Sequence, residues 1–186
     1  MGERTTNPLY YDVSPSADKP YVKGGWRDVP EIIHDARNIK GFFGEYRWLS
    51  NFGQATIELD GVVYTSVEKA YQAAKWTPEQ RQYFSACTNE EAIAYNHANE
   101  PDGYVPEAWD SAKRDVMEFL LRQKFDSQTN PDSAQSLIGT GQKYLEETNW
   151  WGDTFWGKNL QGDGDNHLGV LLMTIRQDLH DTTLAS

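Results

Sequence analysis

The sequence predicts an α+β fold: a mostly helical single domain with a small antiparallel sheet. Three observations carry that prediction. An Asp60-Gly61 pair lies between two β-prone runs, Gln54–Leu59 and Val62–Tyr64, and such a pair supplies the positive φ angles of a type I′ hairpin turn. Apolar residues downstream then recur at helical spacing in one segment after another. Finally, 186 residues suffice for one domain, and although only 38% of them are hydrophobic, 13% are aromatic, so a core can be built from rings.

The elements follow in order. Residues 1–40 hold Pro8, Pro15, Pro20, Pro30 and the Gly24-Gly25 pair without a sustained period. They read as an N-terminal extension that packs on the core through Tyr10, Tyr11 and Trp26, with a short helical piece from Pro30 to Ala36. The domain proper spans 41–186. After the hairpin, Thr65 is the expected N-cap of a helix from Ser66 to Trp76, in which Val67, Ala70, Tyr71 and Ala74 recur at helical spacing. Thr77-Pro78-Glu79-Gln80 reads as a second helix start, with proline at the first helical position. Asn89 is expected to cap a helix through Ala98. The longest helix runs from Pro106 to Phe125, with Ala108, Trp109, Ala112, Val116, Phe119 and Leu120 as its apolar set. Asn130-Pro131 opens another that ends near Gly139 or continues as a turn through Gly141 to Glu147. Asn149–Gly164 breaks all periodicity with four rings in a glycine-rich loop, and Asn166 is the expected cap of a last helix carrying Leu168, Leu171, Leu172, Ile175 and Leu179.

Composition excludes several classes. The net charge is −11, and residues 1–40 balance six basic against six acidic side chains, so the excess lies wholly in 41–186. A surface of that sign does not track a nucleic-acid backbone, so contact with DNA or RNA must be small and local. No stretch approaches the roughly 20 apolar residues of a membrane span, and the N-terminus lacks a signal-peptide core. A soluble, cytoplasmic protein is expected. Met1-Gly2 with Thr6 fits the outline of a myristoylation motif but has no basic cluster beside it. The single Cys87 reads as a small buried hydrophobe. The four histidines are scattered without metal spacing, Gly162-Asp163-Gly164 lacks a dinucleotide fingerprint, and no nucleophile elbow occurs. No metal and no cofactor is expected.

Candidate chemistry sits in three places. Glu68, Gln72 and Lys75 are spaced by four and seven, which puts a carboxylate, an amide and an amine on one helix face. Glu68 also fits a capping box three residues after Thr65, a purely structural role. Asp153 lies between Trp150-Trp151-Gly152 and Phe155-Trp156-Gly157, where rings can stack on a heterocycle and Gly152 lets backbone approach a ligand; the same acid can equally brace its own loop. Phe43–Phe52 joins Arg47, suited to a phosphate, with Asn51 and Phe52, suited to a base or ribose, and an exposed edge with an Asn turn accounts for them as well. Lys158 and Asn166 are further ligand candidates, Asn166 having its capping role besides. Trp109, on an apolar helix face, reads as core by pattern alone.

Together, Phe43–Phe52 with its Leu-Ser-Asn-Phe, Ile57-x-x-Asp-Gly61, Ser66-Val-Glu-Lys-Ala-Tyr-Gln-Ala-Ala-Lys75, Trp109, Val116-Met117 with Lys124-Phe125, Thr140-Gly141, Trp151-Gly-Asp153 and Asn166-His-Leu-Gly-Val-Leu-Leu-Met-x-Ile-Arg176 resemble the NADAR, or YbiA-like, family over about residues 41 to 180. The resemblance implies a compact, mostly helical α+β N-glycosidase with no metal requirement. It places the family's essential acids and tryptophan on Glu68, Asp153 and Trp109, and draws attention to Lys75. Two substrate branches are implied: ribosylamino-pyrimidine phosphates of early riboflavin synthesis, and ADP-ribose attached to nucleobases, notably guanine in DNA. The wording Glu45-Tyr-Arg-Trp-Leu-Ser-Asn-Phe looks closer to the second branch and to versions found in phages and toxin–antitoxin loci. In this reading Glu68 is the acid/base and Asp153 orients water or stabilises charge, with the roles exchangeable. Trp109, Trp151 and Trp156 wall the base or sugar, Arg47 and Lys158 meet the pyrophosphate, and Lys75 attacking the opened sugar is a variant. A catalytically idle module that binds ADP-ribose or NAD is the reading from a different class.

Overall fold

The computed structural model describes residues 34–184. Tyr10, Tyr11, Trp26 and the first part of the expected Pro30–Ala36 helix lie outside them, and residues 34–37 are irregular. Strand β1 (Asn38–Lys40) precedes a 3-10 turn (Gly44–Leu49), β2 (Gln54–Leu59), β3 (Val62–Ser66), and the helices α1 (Val67–Ala73), α2 (Gln82–Ala86), α3 (Asn89–Ala98), α4 (Pro106–Lys124) and α5 (Pro131–Gly139). Strand β4 (Tyr144–Glu146) and helix α6 (His167–Leu184) complete a single α+β domain. None of the described helices is long and apolar enough to cross a membrane.

The hairpin forms where its sequence predicts. Asp60 and Gly61 take φ 51° and 78°, the two left-handed positions of a type I′ turn. β2 and β3 pair antiparallel, and alternation buries Ala55, Ile57, Tyr64 and Ser66. That alternation also moves the expected helix cap. Thr65 still belongs to β3 and faces outward, so the inward Ser66 caps α1 by accepting the Lys69 N–H (3.2 Å). Glu68 therefore stands at the second helical position, outside any capping box, and its side chain is left for other work.

Helix α1 is the hub. It packs on β2, β3, α2, α3 and α4, and Val67, Glu68, Lys69, Ala70, Tyr71 and Ala73 are all buried. Such all-round burial forces its charges to find partners: the Lys69 ammonium donates to the Ser85 and Cys87 carbonyls (3.3 and 3.0 Å). Cys87 itself is only half-buried. The Thr77 segment is a turn, not a helix start, because the Thr77 carbonyl accepts both the Gln80 and Arg81 N–H groups and α2 begins only at Gln82. Arg81 pins this turn, donating from Nε to the Trp76 carbonyl and pairing through its guanidinium with Asp60. Helix α3 begins one residue after its cap, Thr88, which forms a capping box with Glu91.

Helix α4 presents a different face from the one its apolar set suggests. Met117, Leu120, Leu121 and Lys124 point into the core, while Ala108, Ala112 and Phe119 face outward. Its first half overhangs open space rather than core. At its end, two amides complete the free edge of β2. Gln123 accepts from Glu58 N–H (2.8 Å) and donates to Glu58 C=O (2.9 Å), and Asn130 does the same for Thr56 (3.0 and 3.0 Å). Asn130 thus caps a strand edge instead of α5.

The stretch expected to turn through Gly141 to Glu147 contains β4, which pairs in parallel with β1, Ile39 opposite Leu145. Asn166 departs from a capping role as well. At φ 55° and fully enclosed, it accepts the Glu147 N–H through Oδ1 and donates through Nδ2 to the Leu145 carbonyl and the Tyr144 hydroxyl, clamping α6 to β4. The clamp brings α6 so close that a Cβ on Gly169 would overlap the Leu145 carbonyl oxygen and the Asn166 amide. Glycine-to-alanine exchange within a helix normally stabilises it by about 1 kcal/mol. Here Gly169→Ala is expected to lower stability by about 1–3 kcal/mol, read as an earlier midpoint in urea unfolding.

Candidate functional site

One cavity of about 760 Å³ opens between the Phe43–Phe52 segment, α1, α3, the overhanging half of α4 and the 147–156 loop. The size lies within the range of small-molecule sites.

Helix α1 supplies its centre. Lys75 Nζ donates to Gln72 Oε1 (2.8 Å), and Gln72 Nε2 donates to Glu68 Oε1 (2.7 Å), so the three side chains aligned by spacing form one chain from cation to carboxylate. The Glu68 N–H also donates to the Asn51 carbonyl (3.0 Å), fixing the Arg47–Phe52 segment against the helix start. Burial pushes the Glu68 carboxyl above its ordinary range; Gln72 and Lys75 oppose this and Asp153 adds to it. Burial also lowers the Lys75 amine, which sits 5.3 Å from the ring centres of both Tyr71 and Trp109.

Asp153 reaches the same cavity from the far end of the chain. Its loop is shaped by the fully buried Asn149, which accepts from the Gly152 and Asp153 N–H groups (both 3.0 Å) and donates to the Asp153 carbonyl (2.7 Å). Asp153 Oδ1 in turn accepts from Phe155 and Trp156 N–H (3.1 and 2.9 Å), which fixes the carboxylate. Both the loop-bracing reading and the cavity-facing reading of this acid describe its surroundings.

Rings form the walls. Tyr71 contacts Trp109 and Trp156 (5.1 and 5.8 Å between centres), and Phe43 leans on Trp150 and Trp151. Trp109 is therefore a cavity residue at the edge of the core rather than core alone. Arg47, Asn51 and Phe52 also line the space, the Arg47 guanidinium lying 5.6 Å from the Phe52 ring centre.

Three anticipated ligand residues lie off the wall. Gly152 (φ 85°) makes the turn before Asp153. Lys158 is held by a parallel bridge to Thr148, with its ammonium 3.8 Å from Glu146 and over the Tyr144 ring, so local pairing turns it away. Asn166 is the α6 clamp described above.

Four residues of the site carry no readable sequence signal, or only a faint one. Tyr71 and Asn149 look like ordinary core and loop residues. Glu147 lines the cavity, and burial together with the nearby Asp153 pushes its carboxyl up to about 8 against the pull of Lys124. Lys124 is fully enclosed, donates to the Ser50 carbonyl (2.6 Å), and is lowered by burial to about 7. A cation following the apolar stripe Leu120-Leu121, within the matched Lys124-Phe125 block, is the signal that marks it.

Comparison with known proteins gives these features a lineage. A riboflavin biosynthesis protein of Vibrio vulnificus (strain YJ016) is 31% identical over 160 residues, which is 86% of this chain but 41% of that protein's length. The N-glycosidase YbiA of Escherichia coli (strain K12) is 30% identical over 136 residues, covering 73% of this chain and 82% of YbiA. The NMR structure of E. coli YbiA superposes with a TM-score of 0.65 at 27% identity, covering 84% of this chain and 94% of that one. The NADAR domain model matches residues 39–180, and the chain belongs to the NADAR domain family.

Proposed function

We propose that this chain is an N-glycosidase that hydrolyses the bond between a ribose C1′ and a nucleobase nitrogen, with ADP-ribose joined to guanine, in DNA or a nucleotide, as its substrate. The observation that carries the reading is the meeting of Glu68 and Asp153, 85 positions apart in the sequence, in one ring-walled cavity. Relatives named as N-glycosidases support cleavage of an N-glycosyl bond.

Breaking a ribosyl C–N bond builds positive charge on C1′ and the ring oxygen, in an oxocarbenium-like transition state. Asp153, held rigid by two backbone N–H groups, is suited to face that charge without reorganising. Glu68 is suited to take the proton of the attacking water, because burial brings its proton affinity toward that of an effective base and Gln72 keeps it oriented. Trp109, Trp151 and Trp156 offer flat apolar faces to the base, and Arg47 offers a fork to a phosphate. A cavity of about 760 Å³ has room for groups on both sides of the ribose. The desolvated Lys75 favours a second route, in which its amine attacks C1′ of the opened sugar and forms a Schiff base that water later hydrolyses. Relatives named for riboflavin biosynthesis favour a second substrate, a ribosylamino-pyrimidine phosphate.

Incubation with ADP-ribosylated guanine in single-stranded DNA is expected to release free ADP-ribose. Release of a pyrimidine from the riboflavin intermediates instead would move the substrate to the other branch, and calorimetric binding of ADP-ribose without turnover would make the chain a sensor. Borohydride is expected to trap no adduct if Glu68 acts directly, whereas a trapped adduct lost in Lys75→Ala would install the Schiff base.

Glu68→Gln and Asp153→Asn should each lower kcat by about 10²–10⁴-fold while the circular dichroism spectrum is retained. Because Glu68 acts as a base and its folded-state proton affinity is raised, kcat/KM should climb with pH along a limb lying above the ordinary carboxylate range; Glu68→Gln should remove that limb. Trp109→Ala should raise KM by about 10- to 100-fold, the loss of one stacked base, with a smaller change in kcat.

A further inference from the structure

We propose that Glu147 is the proton donor to the departing base, a third carboxyl whose task is distinct from those of Glu68 and Asp153. The proposal rests on the N-glycosidase reading above and assigns a step that reading leaves open. A base leaving as an anion is a poor leaving group, and Glu68, if it takes a proton from water, is not at that moment a source of one.

The surroundings of the two glutamates differ in kind. Glu68 accepts a 2.7 Å hydrogen bond from the Gln72 amide, which is itself bonded to the Lys75 ammonium, and both favour the anion. Glu147 has no such support: its Oε2 is buried without a hydrogen-bond partner. An ionised carboxyl with an orphaned oxygen leaves a charge solvated by neither water nor a donor, whereas the neutral acid leaves only an unpaired polar oxygen, a far smaller cost. The cation beside it among the described residues, Lys124, is directed to the Ser50 carbonyl at 2.6 Å and closes no ion pair with Glu147. Its other charged neighbours, Asp153 and Glu68, repel a third anion. The elevated proton affinity of Glu147 follows from the same surroundings, and two acids driven apart by environment divide donor from acceptor duties.

The backbone holds Glu147 in place from both sides. Asn166 Oδ1 accepts its N–H, and its carbonyl accepts the Lys158 N–H (both 2.9 Å). Gly157 is needed for that approach, since a Cβ there would overlap the Glu147 carbonyl. A neutral Glu147 also eases entry of a phosphorylated ligand, because the cavity wall carries six carboxyl groups against Arg47, Lys75 and Lys113.

The step balances. The C1′–N bond breaks and its electron pair goes to the base, which receives the Glu147 proton. Water forms the new C1′–O bond and gives one proton to Glu68. Transfer of that proton from Glu68 back to Glu147 restores the starting state, so the sum is substrate plus water giving free sugar and protonated base.

Glu147→Gln keeps the shape and neutrality but has no acidic proton. Its kcat on the base-linked substrate is expected to fall by about 100-fold or more with KM retained. On ADP-ribose joined to 4-nitrophenol, whose leaving group departs without a proton, it should match the wild type. Infrared difference spectra of the ligand-free wild type against Glu147→Gln should show a neutral carboxyl band at mildly acidic pH that titrates away near pH 8. Absence of that band, equal losses on both substrates, or full activity of Glu147→Gln would each overturn the proposal while the N-glycosidase reading stands. A wild type that releases no base from any N-riboside overturns both.

Discussion

The enclosure of carboxyl groups is the constraint on which the rest of this structure depends. Glu68, Glu147 and Asp153 share one cavity in a chain that already carries a net charge of −11. Removing a carboxylate from water costs several kcal/mol unless donors replace the lost hydration. The fold meets that cost by a different means for each acid. Gln72 and Lys75 compensate Glu68, backbone N–H groups compensate Asp153, and the Glu147 carboxyl, with one oxygen unpartnered, is pushed up to about 8. One environment thereby yields three acids of unlike character, which is what a reaction needing both a base and an acid demands.

Amide side chains do the work that ion pairs do elsewhere. Asn149 shapes the Asp153 loop, Asn166 ties α6 to β4, and Gln123 with Asn130 covers the free edge of β2. Each presents a donor and an acceptor at once, matching a peptide group without adding charge. The ion pairs, by contrast, are mostly at the surface, such as Lys113–Asp110 and Arg122–Asp178, where such pairs contribute little. In a chain with surplus negative charge, neutral clamps near the acids avoid deepening the repulsion.

The rings serve two ends. Tyr71 and Trp156 belong to the packing around α1 and also face the cavity, so the wall that would hold a base is continuous with the core. Such a wall is stiff because it cannot move without disturbing α1, and stiffness favours catalysis by fixed dipoles. The same rings exclude water, and burial raises the proton affinity of Glu68 and Glu147.

The sequence by itself determined what depends on neighbours a few positions apart. The Asp60-Gly61 hairpin, the proline-led starts of α4 and α5, and the shared face of Glu68, Gln72 and Lys75 all follow from local geometry, and they stand where the pattern puts them. The matched blocks of residues extended this to Asp153 and Trp109, whose spacing alone says nothing of their meeting. Tertiary structure decided everything set by partners distant along the chain. Three-residue strands such as β1 and β4 are too short to show a period and exist only because residues 38–40 find 144–146. Asn166 and Asn130 have turn and cap chemistry in the sequence and Lys158 a charge suited to a phosphate, yet partners elsewhere in the chain claim their side chains. Glu147 and Lys124 acquire their character chiefly from burial and from the charges the fold brings beside them, properties of the assembled core that no run of neighbouring residues encodes.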